Sequence, residues 1–115
     1  MSAPELVGTK SEEDGVELLI LRHPPVNALS TALLDQFAAR ISAIGSDRTT
    51  RCVVVTGDGQ YFCAGADVKE MAVLGKEKAP EIQARGQALF QTLADLRCPT
   101  IAAINGLAIG GGLEL

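Results

Sequence analysis

Apolar residues along this chain come in short blocks that alternate between two spacings, unbroken runs and steps of three and four. Segment 1–14 is polar apart from Leu6 and Val7, which hint at a strand, and Ser11-Glu12-Glu13-Asp14-Gly15 reads as a turn. Val16 to Leu21 is apolar except for Glu17, which predicts a strand pairing back on the first. His23-Pro24-Pro25 ends it, because proline has no N–H to give a ladder, and Val26-Asn27-Ala28-Leu29 reads as an extended loop. Leu33, Leu34, Phe37, Ala38, Ile41 and Ile44 then recur on one helical face. Ser30 or Thr31 would cap this helix over 30–44, and Gly45 would stop it.

Cys52 to Val55 is continuously apolar and β-branched, the pattern of a strand covered on both faces. Gly57-Asp58-Gly59 turns the chain, and Phe62 to Asp67 reads as a small-residue loop leading into a short helix that ends near Leu74. Gly75 to Lys78 interrupts. Ile82, Gly86, Leu89, Phe90, Leu93 and Leu96 share one face of a second long helix over 79–96. Pro99 opens an apolar strand, Thr100 to Ile104, and Asn105-Gly106 turns the chain. Leu107-Ala108-Ile109 then enters Gly110-Gly111-Gly112, and Leu113-Glu114-Leu115 reads as the first turn of a helix. Strand alternating with helix predicts an α/β protein with a largely parallel sheet from 16–21, 52–56 and 100–104. The last strand has no covering layer after it in the sequence, so the chain is expected to be a truncation that does not behave as a stable monomer.

Composition narrows the function. The 115 residues carry a net charge of −4 with both signs interspersed, and no basic stripe speaks for nucleic acid. Cys52, Cys63 and Cys98 are scattered, without a CxxC pair. They read as reduced, buried thiols in a cytoplasmic protein. Neither a signal peptide nor a membrane span is evident, and no residue cluster has metal-ligand spacing.

Two loops could do chemistry. Cys63-Ala64-Gly65-Ala66-Asp67 and Gly110-Gly111-Gly112 each follow a strand and precede a helix. Backbone N–H groups there lack helical partners, and two aimed at one point make an oxyanion hole. Small side chains let a substrate carbonyl come close. Taken alone, each loop reads first as a tight turn that serves only packing. Glu114, set between Leu113 and Leu115, suits general acid–base work, or else simply complements the helix dipole. Asp67 reads first as a helix cap. His23 reads as a loop residue with no triad partner, and Cys63 as a structural thiol.

Taken together, Pro25 to Leu29, Cys52 to Gly57, Phe62 to Met71 and Pro99 to Leu115 closely resemble the crotonase superfamily, the enoyl-CoA hydratase/isomerase group. The resemblance runs from about residue 5 to the end. It implies a crotonase-like fold, a spiral of ββα units, with 1–115 its amino-terminal part, and no carboxy-terminal part or helical trimerisation region. It also implies that the backbone N–H groups of Ala66 and Gly111 hold the thioester carbonyl of an acyl-CoA. Ala28, Ala64, Ala66, Asp67, Val68 and Lys69 would line the coenzyme A site. Glu114 would be one of two catalytic carboxylates, the second lying past Leu115. A family hydratase of this kind adds water reversibly to a trans-2-enoyl-CoA and needs no cofactor, coenzyme A being part of the substrate, and is a homo-oligomer, trimer or hexamer. Isomerase is the alternative within the family. As it stands, with one carboxylate, the chain could instead be a non-catalytic CoA-binding fragment.

Overall fold

The segment after the prolines is pinned to the rest of the molecule by a side chain that has left solvent. Asn27 is fully buried and sits at φ 56°, a left-handed conformation that asparagine tolerates better than most residues. Its Oδ1 accepts from the His23 N–H at 2.9 Å. Its Nδ2 faces the carbonyls of Asp58 (3.2 Å), Tyr61 (2.9 Å) and Phe62 (3.3 Å). The computed structural model that shows this describes residues 4–115, the side chains of residues 113 and 114 excepted.

The elements are β1 (Val7–Ser11), β2 (Val16–Leu21), α1 (Thr31–Ser46), β3 (Cys52–Gly57), β4 (Tyr61–Cys63), α2 (Val68–Leu74), α3 (Ala79–Ala94), β5 (Thr100–Ala103), β6 (Leu107–Ala108) and α4 (Gly111–Glu114). Four strands form a sheet in the order β1-β2-β3-β5. β1 runs antiparallel to β2, as a short turned connection requires, with Val7 opposite Leu21. β2–β3 and β3–β5 are parallel, each reached through a helical crossover. β4 and β6 pair separately, also parallel, with a register shift between Tyr61 and Cys63.

The alternation along the strands decides what they bury. Val53 and Val55 point into the core with Leu19 and Leu21, against Leu33, Leu34, Phe37 and Ile41 of α1. Phe37 is 1 % exposed. α3 adds only Leu89 and Leu93 to the buried set, and Asp35 and Arg85 form an ion pair between the two helices.

Several expectations shift in detail. Gly45 does not stop α1; the helix runs through it to Ser46, with Asp47 as its C-cap. A Cβ at Gly45 would meet only Leu96 Cδ2, at 4.0 Å, so nothing there forces a break. α3 ends at Ala94, two residues early, and β5 ends at Ala103. Residues 61–63, whose Phe62 and Cys63 read as loop, are strand, because β6 offers them a ladder that only the tertiary fold supplies. β3 is not fully covered: Cys52 and Val54 are half-buried on its second face. The whole of β5 is exposed, and Ile101, Ile104, Leu107 and Ile109 are each about half exposed or more. Among the described residues, no helix is long and apolar enough to cross a membrane.

Of the two candidate caps for α1, Ser30 does the work, its Oγ accepting from the Leu33 N–H at 3.1 Å. Ser30→Ala is therefore expected to lower unfolding free energy by about 1 kcal/mol, and Ser30→Gly by only a few tenths. Equilibrium urea unfolding of the two variants checks this, and equal losses would contradict the capping role.

Candidate functional site

The two small-residue loops meet. The carbonyl of Cys63, at the end of β4, accepts from the Ile109 N–H at 3.0 Å. The Gly112 N–H closes the following turn on the Ile109 carbonyl at 2.8 Å. The loops are so close that a Cβ on Gly112 would collide with the Cys63 carbonyl. Gly65, at φ 89°, adopts a conformation that side chains disfavour, and a Cβ there would stand 2.8 Å from the Ile109 carbonyl and 3.0 Å from the Gly111 nitrogen. Glycine is therefore required on both sides of this crossing.

The Val26–Leu29 segment lies along the first loop. The Ala64 N–H donates to Val26 at 3.1 Å, and the Leu29 N–H donates to Gly65 at 2.7 Å. Leu29 and Ala66 form an isolated parallel bridge. This arrangement uses the carbonyl of Gly65 and leaves the Ala66 N–H free. Among the described residues, neither Ala66 nor Gly111 donates its N–H to a backbone carbonyl. A Cβ built on Gly111 would lie 4.0 Å from the Ala66 nitrogen, so the two amides are neighbours. Both residues line one cavity of about 350 Å³, whose other walls include Leu29, Met71, Ile82 and Phe90. Gly111 also opens α4, so its amide is one of the donors a helix start leaves unpaired.

Of the remaining sequence-predicted residues, Ala28 is half-buried beside this crossing. Its carbonyl accepts from the Ser30 N–H at 3.0 Å and lies 2.8 Å from His23 Nδ1. Asp67 caps α2, accepting from the Glu70 N–H at 3.2 Å. Val68 and Lys69 stand exposed on the first turn of α2 and do not line the cavity. Glu114 belongs to α4, but its side chain lies outside the described residues. Cys63 is buried, and burial pushes its thiol up, partly offset by the Gly65 N–H. A thiol held protonated is a poor nucleophile. Cys52 and Cys98, expected to be buried, are only half-buried.

Three supporting residues escaped the sequence reading. Asn27 is one. Asn105 is the second: its Oδ1 accepts from Gly57 N–H at 2.9 Å, while its Nδ2 donates to Gly59 (2.9 Å) and Tyr61 (3.2 Å). The two asparagines thus hold the β3–β4 turn from opposite sides and share the Tyr61 carbonyl. The third is Glu70, whose carboxylate accepts from the Thr31 N–H at 2.8 Å and the Thr31 hydroxyl at 3.3 Å. It places negative charge at the start of α1 and ties that helix to α2. The Asp67-x-x-Glu70 spacing was a visible capping signal, but the partner of Glu70 was not.

A spiral of ββα units, with the two small-residue loops crossing beside one cavity, is the arrangement of the crotonase class of fold. Solved structures agree. An enoyl-CoA hydratase from Bacillus anthracis superposes with a TM-score of 0.91 at 34% identity, covering 95% of this chain and 43% of that one. The family model described as enoyl-CoA hydratase/isomerase matches residues 11–115. The chain belongs to the enoyl-CoA hydratase/isomerase family. A probable enoyl-CoA hydratase of Bacillus subtilis is 40% identical over 101 residues, 87% of this chain and 39% of its own length. A crotonyl-CoA hydratase of Syntrophomonas wolfei is 36% identical over 114 residues, 98% of this chain and 44% of its own length. The chain spans less than half the length of these relatives.

Cys63 yields a prediction. Its folded pKa is raised, so the stability it lends is fully present below the unfolded thiol value, about 8.5, and is lost as pH rises through the folded value. Iodoacetamide at neutral pH should label Cys52 and Cys98 well before Cys63, read by mass spectrometry of peptides. Labelling of Cys63 first would contradict its burial.

Proposed function

We propose that the protein to which this chain belongs is an enoyl-CoA hydratase, adding water reversibly across the double bond of a trans-2-enoyl-CoA. The observation that carries the reading is that the neighbouring Ala66 and Gly111 amides, neither spent on a backbone carbonyl among the described residues, border one cavity. Attack of water on the β-carbon moves electron density onto the thioester oxygen. Two preorganised N–H donors stabilise that enolate more than the neutral carbonyl, which lowers the barrier rather than merely tightening binding. The thioester itself is the electron sink, so the reaction asks for no cofactor, and coenzyme A is part of the substrate.

Glu114 supplies one of two carboxylates. In the single turn of α4 it would orient and deprotonate the water, and a second carboxylate would take part in proton transfer at the α-carbon. The names of the relatives support this reading, as does the family model. The same oxyanion hole would serve a double-bond isomerase, and the acidic residue at Glu114 favours hydration. Ala28, Ala64 and Asp67 would border the coenzyme A moiety, with Val68 and Lys69 on its exposed side. We take the enzyme to act as a homo-oligomer, and its free thiols suit a reducing compartment such as the cytoplasm.

Glu114→Gln in the full-length protein should leave CoA affinity nearly unchanged, because the two side chains match in size. It should lower kcat by on the order of 10²–10⁴, the share of one general acid–base group. Loss of enoyl thioester absorbance, followed beside a melting curve, is the measurement. Unchanged turnover with lowered melting temperature would make Glu114 a helix-dipole residue only.

A further inference from the structure

We propose that Gly86 sets how much acyl bulk the cavity accepts. The inference rests on the hydratase reading above and names a determinant of substrate size within it. Gly86 lies in the interior of α3, where glycine is the poorest helix former after proline. Glycine persists in helices where packing demands it, and Gly112 shows what such a demand looks like, its Cβ position being taken by the Cys63 carbonyl. At Gly86 there is no such demand: an added Cβ would meet nothing within 4 Å. φ is not in the left-handed region either, so no conformational reason requires glycine.

What the missing side chain leaves is space, and the space belongs to the cavity. Gly86 lines the same 350 Å³ chamber as Ala66 and Gly111, with Ile82 and Phe90 one turn before and after it on the helix. These neighbours are apolar and half-buried. An acyl group with its carbonyl held at the two amides therefore has its hydrocarbon facing a surface of α3 on which Ile82 and Phe90 flank a notch at Gly86, with Gln83 and Gln87 at its sides. A short acyl group leaves the notch unused. A long one needs it.

Gly45 is a built-in control. It is also a helical glycine with no close neighbour for a Cβ, but it lies in the last turn of α1 and faces the separate groove between α1 and α3. Gly86→Ala and Gly45→Ala should both raise the melting temperature, since alanine favours the helix in each case.

The test uses the full-length protein and its Gly86→Ala, Gly86→Leu and Gly45→Ala variants. kcat/KM is measured with crotonyl-CoA and with a decenoyl-CoA. For Gly86→Leu the ratio of long-chain to short-chain kcat/KM should fall by about tenfold or more, the scale of a blocked hydrophobic subsite, with Gly86→Ala in between and Gly45→Ala unchanged. A ratio for Gly86→Leu that stays at the wild-type value in a folded protein overturns the proposal, as does an equal fall for Gly45→Ala. Should Gly86→Leu fail to fold, the Gly86→Ala ratio decides: a fall supports the proposal and an unchanged ratio overturns it. Should the wild-type protein turn over neither thioester, the hydratase reading fails by itself. Calorimetric Kd values for butyryl-CoA and decanoyl-CoA then carry the same comparison, and a ratio that Gly86→Leu leaves unchanged, or binding of neither, overturns the role of Gly86.

Discussion

Two loops far apart in sequence cross here with no room for a side chain between them, and the rest of the site depends on that crossing. Gly65 and Gly112 are where the backbones touch. The Cys63 carbonyl, spent on the Ile109 N–H, fixes the height of one loop against the other. Once the Gly65 carbonyl is taken by Leu29, the amide of the same peptide unit, that of Ala66, points away from the bridge, and Gly111 lies beside it. Two donors left unpaired cost stability in most settings. They are tolerated here because they border a cavity rather than packed apolar side chains.

Such a crossing holds only if each loop is held from behind, and the polar side chains of this small protein are placed to do that. Asn27 and Asn105 grip the β3–β4 turn through five carbonyl contacts and one amide between them. Glu70 bonds the start of α1 to the start of α2, so the Leu29 and Ala66 strands cannot drift apart without breaking a charged hydrogen bond. Among the described residues, no buried side-chain polar atom lacks a partner. The apolar core around Phe37 and the strands β2 and β3 is the platform, and the asparagine and glutamate contacts transmit its rigidity to the loops.

The division of labour between the two long helices follows from their burial. α1 sinks five side chains into the core and behaves as structure. α3 buries only Leu89 and Leu93 and presents Ile82, Gly86 and Phe90 to the cavity. A helix with so thin an anchor can vary on its inner face without unmaking the sheet.

The sequence by itself determined the elements whose signal is periodic. The apolar step of three and four from Leu33 to Ile44, the runs at 16–21 and 52–55, and the small residues at 63–67 and 110–112 announced helix, strand and loop, because local spacing is what those conformations impose. The resemblance of those segments to crotonases implied more, the pairing of Ala66 and Gly111 that the proposed function uses. Tertiary structure alone decided the rest. Residues 61–63 are strand only because β6 arrives beside them, and Gly45 stays helical because nothing crowds it. Asn27, Asn105 and Glu70 matter through bonds to residues as far as thirty-five, forty-eight and thirty-nine positions away, and single-residue identity carries no trace of such a partner. Spacing along the chain encodes a conformation; which two amides face one another is set by packing, which has no period to read.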